Sequence, residues 1–85
     1  MHGIKFTPRS EREFKTLVKH IQRRIREKLR DNAILTDPLV RAKPLVNLPP
    51  STHRFRIGKY RVSFYIEDKT IFVERIEIRG SAYRR

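Results

Sequence analysis

The chain changes its hydrophobic period once, and that change limits its possible folds more than any other feature. Phe14, Leu17, Val18, Ile21, Ile25 and Leu29 recur mostly at steps of three and four, which makes one stripe of an amphipathic helix. Beyond Thr52 the period becomes two. His53, Phe55 and Ile57 alternate with Arg54 and Arg56. Tyr60, Val62, Phe64 and Ile66 alternate with Arg61, Ser63 and Tyr65. Phe72, Ile76 and Ile78 share a face opposite Val73, Arg75, Glu77 and Arg79. Gly58-Lys59 and Glu67-Asp68-Lys69-Thr70 are the turns of a three-strand antiparallel meander. An apolar helix stripe and an apolar sheet face can bury each other, so the expected fold is an α+β layer pair.

The helical half has its own punctuation. Ile4, Lys5, Phe6 and Thr7 alternate like a short strand. Thr7-Pro8 reads as an N-cap with proline in the first turn, and Ser10 with Glu13 offers a capping box three residues later. The stripe continues without Gly or Pro from Phe14 to Leu29. One straight helix of that reach would outrun so small a core, so a hairpin of two helices turning near residues 18–20 is expected. Four prolines (Pro38, Pro44, Pro49 and Pro50) mark residues 32–50 as a connector, with one more helical turn around residues 37–41.

Size and charge narrow the function classes. The 85 residues show no composition break, so one domain over 1–85 is expected, with little apolar surface to spare for a deep pocket. The absence of cysteine excludes disulfides and Cys-ligated zinc. Apolar runs are too short for a membrane span and the N-terminus has no signal-peptide core, so a cytoplasmic protein is expected. Twenty-one Lys and Arg against nine acidic residues give a formal net charge of +12. Such a field attracts polyanions: nucleic acid, an anionic membrane or an acidic protein.

The alternation also gives the charge a place. If Phe55, Ile57, Tyr60, Val62, Phe64, Phe72, Ile76 and Ile78 face the helices, then Arg54, Arg56, Arg61, Arg75 and Arg79 share the other face. Guanidinium groups in a row suit a phosphate backbone, since each binds two oxygens in a fixed fork. Tyr65 and Tyr83 add rings on which a splayed base can stack. A solvated strand face charged for solubility would show the same pattern. Lys15, Lys19, Arg23, Arg26 and Arg30 form a second basic surface on the helices. His2, His20 and His53 are scattered without metal-ligand spacing, and no nucleophile–base pair or phosphate loop is visible, so neither metal nor cofactor is expected.

The segment from His53 through Arg54-Phe55-Arg56, Gly58-Lys59 and Tyr60-Arg61-Val62 resembles the strand–turn–strand core of the RelE/ParE toxins. Ile78-Arg79-Gly80-Ser81-Ala82-Tyr83-Arg84 resembles that family's C-terminal Arg…Tyr ending. Phe6-Thr7-Pro8, Glu13-Phe14 and Lys43-Pro44-Leu45 match its front half. The resemblance implies two N-terminal helices packed on a twisted antiparallel sheet of three to five strands. It also implies a type II toxin–antitoxin toxin of the RelE kind, a ribosome-dependent mRNA endonuclease that inhibits translation. An acidic antitoxin would then be its partner, in a heterodimer or heterotetramer, with the ribosome and mRNA as targets.

Carried over residue by residue, the resemblance assigns catalytic roles to Arg54, Arg56, Arg61, Arg79 and Tyr83. Contacts to RNA or ribosome would fall to Lys43, Arg23, Arg26, Lys28, Arg30, Arg75 and Arg84. One departure bears on the chemistry. Lysines are frequent in RelE-type members where Arg54 and Arg56 stand, and arginine holds its proton too firmly to serve as an easy base. The proton acceptor is therefore unassigned, with Lys43, Tyr83 and His53 as the nearby candidates. Two other readings remain open at this point: a ParE-like gyrase poison, and a non-catalytic basic binding module.

Overall fold

Thr7 joins a strand to a helix, and its surroundings show how the N-terminal half is held. A computed structural model of the chain describes residues 1–78. Strand β1 (Gly3–Phe6) leads into α1 (Pro8–Lys15) and α2 (Lys19–Ala33). A 3-10 turn at Pro38–Arg41 follows, then β2 (Lys43–Pro44), β3 (His53–Ile57), β4 (Tyr60–Glu67) and β5 (Thr70–Ile78). Thr7 is the N-cap: its hydroxyl oxygen accepts the Ser10 N–H at 3.3 Å, and Pro8 sits in the first turn where its missing N–H costs nothing. Of the two possible helix starts, the earlier is the one used. The hairpin turns at residues 16–18, two residues before the expected place, and Val18 caps α2 without a side-chain hydrogen bond.

The helices bury their stripe on one face of the sheet. Ile25, Leu29 and Ala33 of α2 meet Phe55, Ile57, Val62, Phe64, Ile71, Val73 and Ile76 in one buried cluster. Phe64 is stacked on Phe55 with ring centroids 4.3 Å apart. The turns use the backbone their residues permit. Gly58 has φ +60°, which opens the β3–β4 turn, and a side chain there would press on the Arg24 guanidinium at 3.1 Å. Asp68 and Lys69 both have positive φ, the pattern of a two-residue I′ hairpin between β4 and β5.

The expected α+β pair with two N-terminal helices is present, and the sheet differs from the expectation in two ways. It has five strands in the order β1-β5-β4-β3-β2, and β1 runs parallel to β5, so the sheet is mixed rather than purely antiparallel. Nothing local in Ile4-Lys5-Phe6 specifies a neighbour 67 positions away. The second difference is a β-bulge. Ser63 pairs with Arg75 and Phe64 with Val73, which leaves Glu74 as an extra residue on β5. Side-chain parity therefore flips: Ile71 and Val73 are wholly buried, while Phe72, expected in the core, lies on the other face stacked on Tyr65 at 5.0 Å.

Glu13 completes the edge of β5. Beyond Val73, β1 no longer covers that edge, and α1 takes its place. Ser10 Oγ donates to the Val73 carbonyl at 2.7 Å. Glu13 Oε1 accepts the Ile76 N–H at 2.8 Å, and its Oε2 pairs with Arg75 Nε at 2.9 Å. The residue expected to close a capping box thus caps a strand. Glu13→Ala should lower stability by about 2 kcal/mol, because it strands the Ile76 strand-edge donor and removes one of the two carboxylates that hold Arg75. In a domain this small that is roughly 8–16 °C in Tm. Glu13→Gln keeps an acceptor for Ile76 and should lose clearly less; equal losses in thermal melts of the two variants would disprove the account.

Candidate nucleic-acid interface

Cross-strand register decides which cations meet. On the face turned away from the helices, Lys43, Arg54, Ser63 and Arg75 are successive partners across β2, β3, β4 and β5. With strands about 4.8 Å apart, this row spans three strand spacings. A second row holds Arg56, Arg61 and Glu77. A third holds Tyr65, Phe72 and Lys5, with the two rings stacked. Arg56 directly opposes Arg61, an arrangement of like charges that weakens a strand pair. Arg54 and Arg61 are half-buried and Arg56 is exposed.

Arg75 shares this face but is held by acids. Its Nε pairs with Glu13 at 2.9 Å and its terminal nitrogen with Glu77 at 3.2 Å. The open face is therefore divided. Lys43, Arg54, Arg56 and Arg61 form its cationic side over β2–β4, and Glu74 and Glu77 gather with Arg75 on β5. Beside them is a concavity of about 390 Å³. Leu48, Pro49, Pro50 and Ser51 of the connector form one wall. Ser63, Glu74, Arg75 and Glu77 of the sheet, with Arg9 of α1, form the rest.

The structure brings Lys43, Arg54, Arg56, Arg61 and Arg75 onto one face. It does not bring Arg23, Arg26, Lys28 and Arg30 there: these are exposed on α2, which packs against the opposite face of the sheet. Arg26 lies over the Phe14 ring at 5.5 Å. Arg79, Tyr83 and Arg84 lie outside the described residues. His53 is half-buried on the core side, its Nδ1 3.0 Å from the Thr52 hydroxyl, which removes it as a base for chemistry on the open face. Among the described residues no cluster of His, Cys, Asp or Glu could hold a metal, and no helix is long and apolar enough to cross a membrane.

Sequence reasoning missed Glu13 and Glu74. The signal for Glu74 was in the apolar spacing: 71, 73, 76 and 78 step by two, three and two. A single step of three inside a period-two strand marks an inserted residue. Nothing in the sequence marked Glu13 as a partner for a strand more than sixty residues away.

Comparison with known proteins places this geometry. The family model described as ParE toxin of type II toxin-antitoxin system, parDE, matches residues 4–83. A search of curated protein sequences found no match. Among solved structures, the chain is similar to the toxin–antitoxin complex RelBE2 of Mycobacterium tuberculosis, with 26% identity and a TM-score of 0.76 over 94% of this chain and 93% of that one. It is similar to the archaeal RelE–RelB complex of Pyrococcus horikoshii OT3, with 25% identity and a TM-score of 0.72 over 94% and 97%. It shares the fold of the RelB–RelE complex of Methanococcus jannaschii, with 24% identity and a TM-score of 0.66 over 93% and 94%. With nearly its whole length matched and its sheet and helices arranged as in these complexes, the chain belongs to the RelE/ParE family of type II toxin–antitoxin toxins.

Proposed function

We propose that this toxin is a ribosome-dependent mRNA endonuclease whose cationic sheet face holds the scissile strand. The observation that carries the reading is the contiguous set of Lys43, Arg54, Arg56 and Arg61 on three neighbouring strands. The reaction is attack of a ribose 2′-hydroxyl on the adjacent phosphate. The 2′-oxygen loses its proton and bonds to phosphorus, and the 5′-oxygen leaves with a proton, giving a 2′,3′-cyclic phosphate and a 5′-hydroxyl. The pentavalent intermediate carries extra negative charge, and preformed cations on a fixed sheet stabilise it without reorganising. Arg61 and Arg79 would hold its non-bridging oxygens, with Arg54 and Arg56 beside them. Tyr83 would stack on the base after the cut or orient the 2′-hydroxyl. In a cell-free translation reaction the purified chain should cleave message within ribosome-bound codons.

The partner in this reading is an acidic antitoxin, in a heterodimer or heterotetramer, as the solved relatives are complexes with RelB. The chain would act in the cytoplasm, where ribosomes are. A gyrase-poisoning reading has one observation in its favour, that the matching family model is the ParE one. Intact message with linearised plasmid in a gyrase reaction would favour that reading over ours.

RNA binding should depend steeply on salt. Four cations on four phosphates of a single strand give a slope of about −2.8 in log K against log salt, or roughly a fiftyfold loss between 50 and 200 mM. Filter-binding titrations at several salt concentrations measure it, and a flat response would replace the phosphate contacts with an apolar interface.

A further inference from the structure

We infer that the concavity beside the β5 bulge is a base-specific subsite for guanine. The inference rests on the proposed placement of RNA on the open sheet face. Glu74 carries it. This residue is the extra one of the bulge, half-buried, and it lines the cavity with Arg75 and Glu77. Its carboxylate has no hydrogen bond or ion pair among the described residues, in a chain of 21 Lys and Arg. Glu13 and Glu77, its acidic neighbours, are both paired. The carboxylate keeps contact with solvent and is open to a ligand, and beside a phosphate-binding face it repels the backbone. Bulges re-aim side chains beside functional sites. The arrangement becomes favourable when a ligand brings two donors to Glu74.

Base chemistry names the ligand. Guanine alone has two adjacent N–H donors on its Watson–Crick edge, at N1 and N2, and these match both oxygens of one carboxylate. Its neighbouring O6 is an acceptor, suited to the Arg75 guanidinium in the same cavity. Adenine and cytosine each place an acceptor beside their amino group. Uracil has its one N–H between two carbonyls. All three would set an acceptor against Glu74. Leu48, Pro49 and Pro50 provide an apolar wall for the ring, as in single-stranded RNA sites where unstacked bases are read on their edges. The cationic row ends at Ser63 and Arg75, so a backbone held by Arg54 can deliver its base to this cavity one to two strands away.

The test measures anisotropy of the full chain with labelled oligouridine probes carrying one central G, A, C, inosine or 7-deazaguanosine, at low salt. The G probe should bind about tenfold tighter than the A, C and all-uridine probes. Inosine lacks the N2 amine and should fall to the level of A, while 7-deazaguanosine keeps the Watson–Crick edge and should match G. Glu74→Gln should erase the G preference, with affinity for the all-uridine probe unchanged or higher. Tight uridine binding by the parent chain without preference among bases overturns the subsite and leaves the backbone reading intact. A G preference that survives Glu74→Gln overturns the assignment to Glu74. No binding of any probe overturns both the subsite and the RNA reading beneath it.

Discussion

Arg61→Ala should slow message cleavage about a hundredfold or more while ribosome binding stays close to parental. The two readouts separate because the cations sit on different layers. Arg61 lies on the open face of the central strand β4, opposite Arg56 and two strands from Lys43. There it would bind charge that grows only as the phosphorane forms. Loss of one such preorganised donor typically removes about 2.7–4 kcal/mol of transition-state stabilisation. Arg23, Arg26, Lys28 and Arg30 are exposed on α2, on the far side of the sheet, and would keep the long-range attraction to ribosomal RNA. Primer extension on translated message gives the first quantity and ribosome co-sedimentation the second. Tyr83→Phe divides the tyrosine roles, since stacking survives loss of the hydroxyl and proton handling does not. A double alanine variant of Arg61 and Arg79 that cuts at the parental rate would reduce the face to a binding surface.

Phe64→Ala should cost about 3–5 kcal/mol of stability. Phe64 has no exposed surface, stacks on Phe55 and pairs across strands with His53 and Val73. Its ring sits in the buried cluster between β3 and the helix stripe, so truncation leaves a cavity at the centre of the core. For a domain of this size the loss equals a large share of the total, so the melting transition by circular dichroism should shift by tens of degrees or disappear. A drop below about 1 kcal/mol would mean that the core is not centred on β4.

What could be read from the sequence divides by range. The Thr7-Pro8 helix start, the two hairpin turns, the helical turn before Lys43 and the shared face of Arg54, Arg56 and Arg61 are all written within a few residues of each other. Local dihedral preference and period are enough for those. The misreadings involve residues far apart. Strict alternation from Ile76 and Ile78 puts Phe72 in the core; one inserted residue, Glu74, reverses that. The parallel pairing of β1 with β5 and the grip of Glu13 on Ile76 depend on tertiary closure. The basic face was legible because it arises within one meander. Its acidic counterpart was not, because it takes α1, the connector and the bulge together.

The pairing of the first strand with the last also sets the order of events during synthesis. Gly3 is made before Thr70 and must wait for it before β1 has a neighbour. Glu13 waits in the same way for Ile76. Contacts this distant along the chain close late, since the loop entropy must be met before the contact forms. The meander that carries Arg54, Arg56 and Arg61 is itself in the second half of the chain. Until residues 70–78 have left the exit tunnel, the sheet has neither its β5 strand nor the helix edge that braces it.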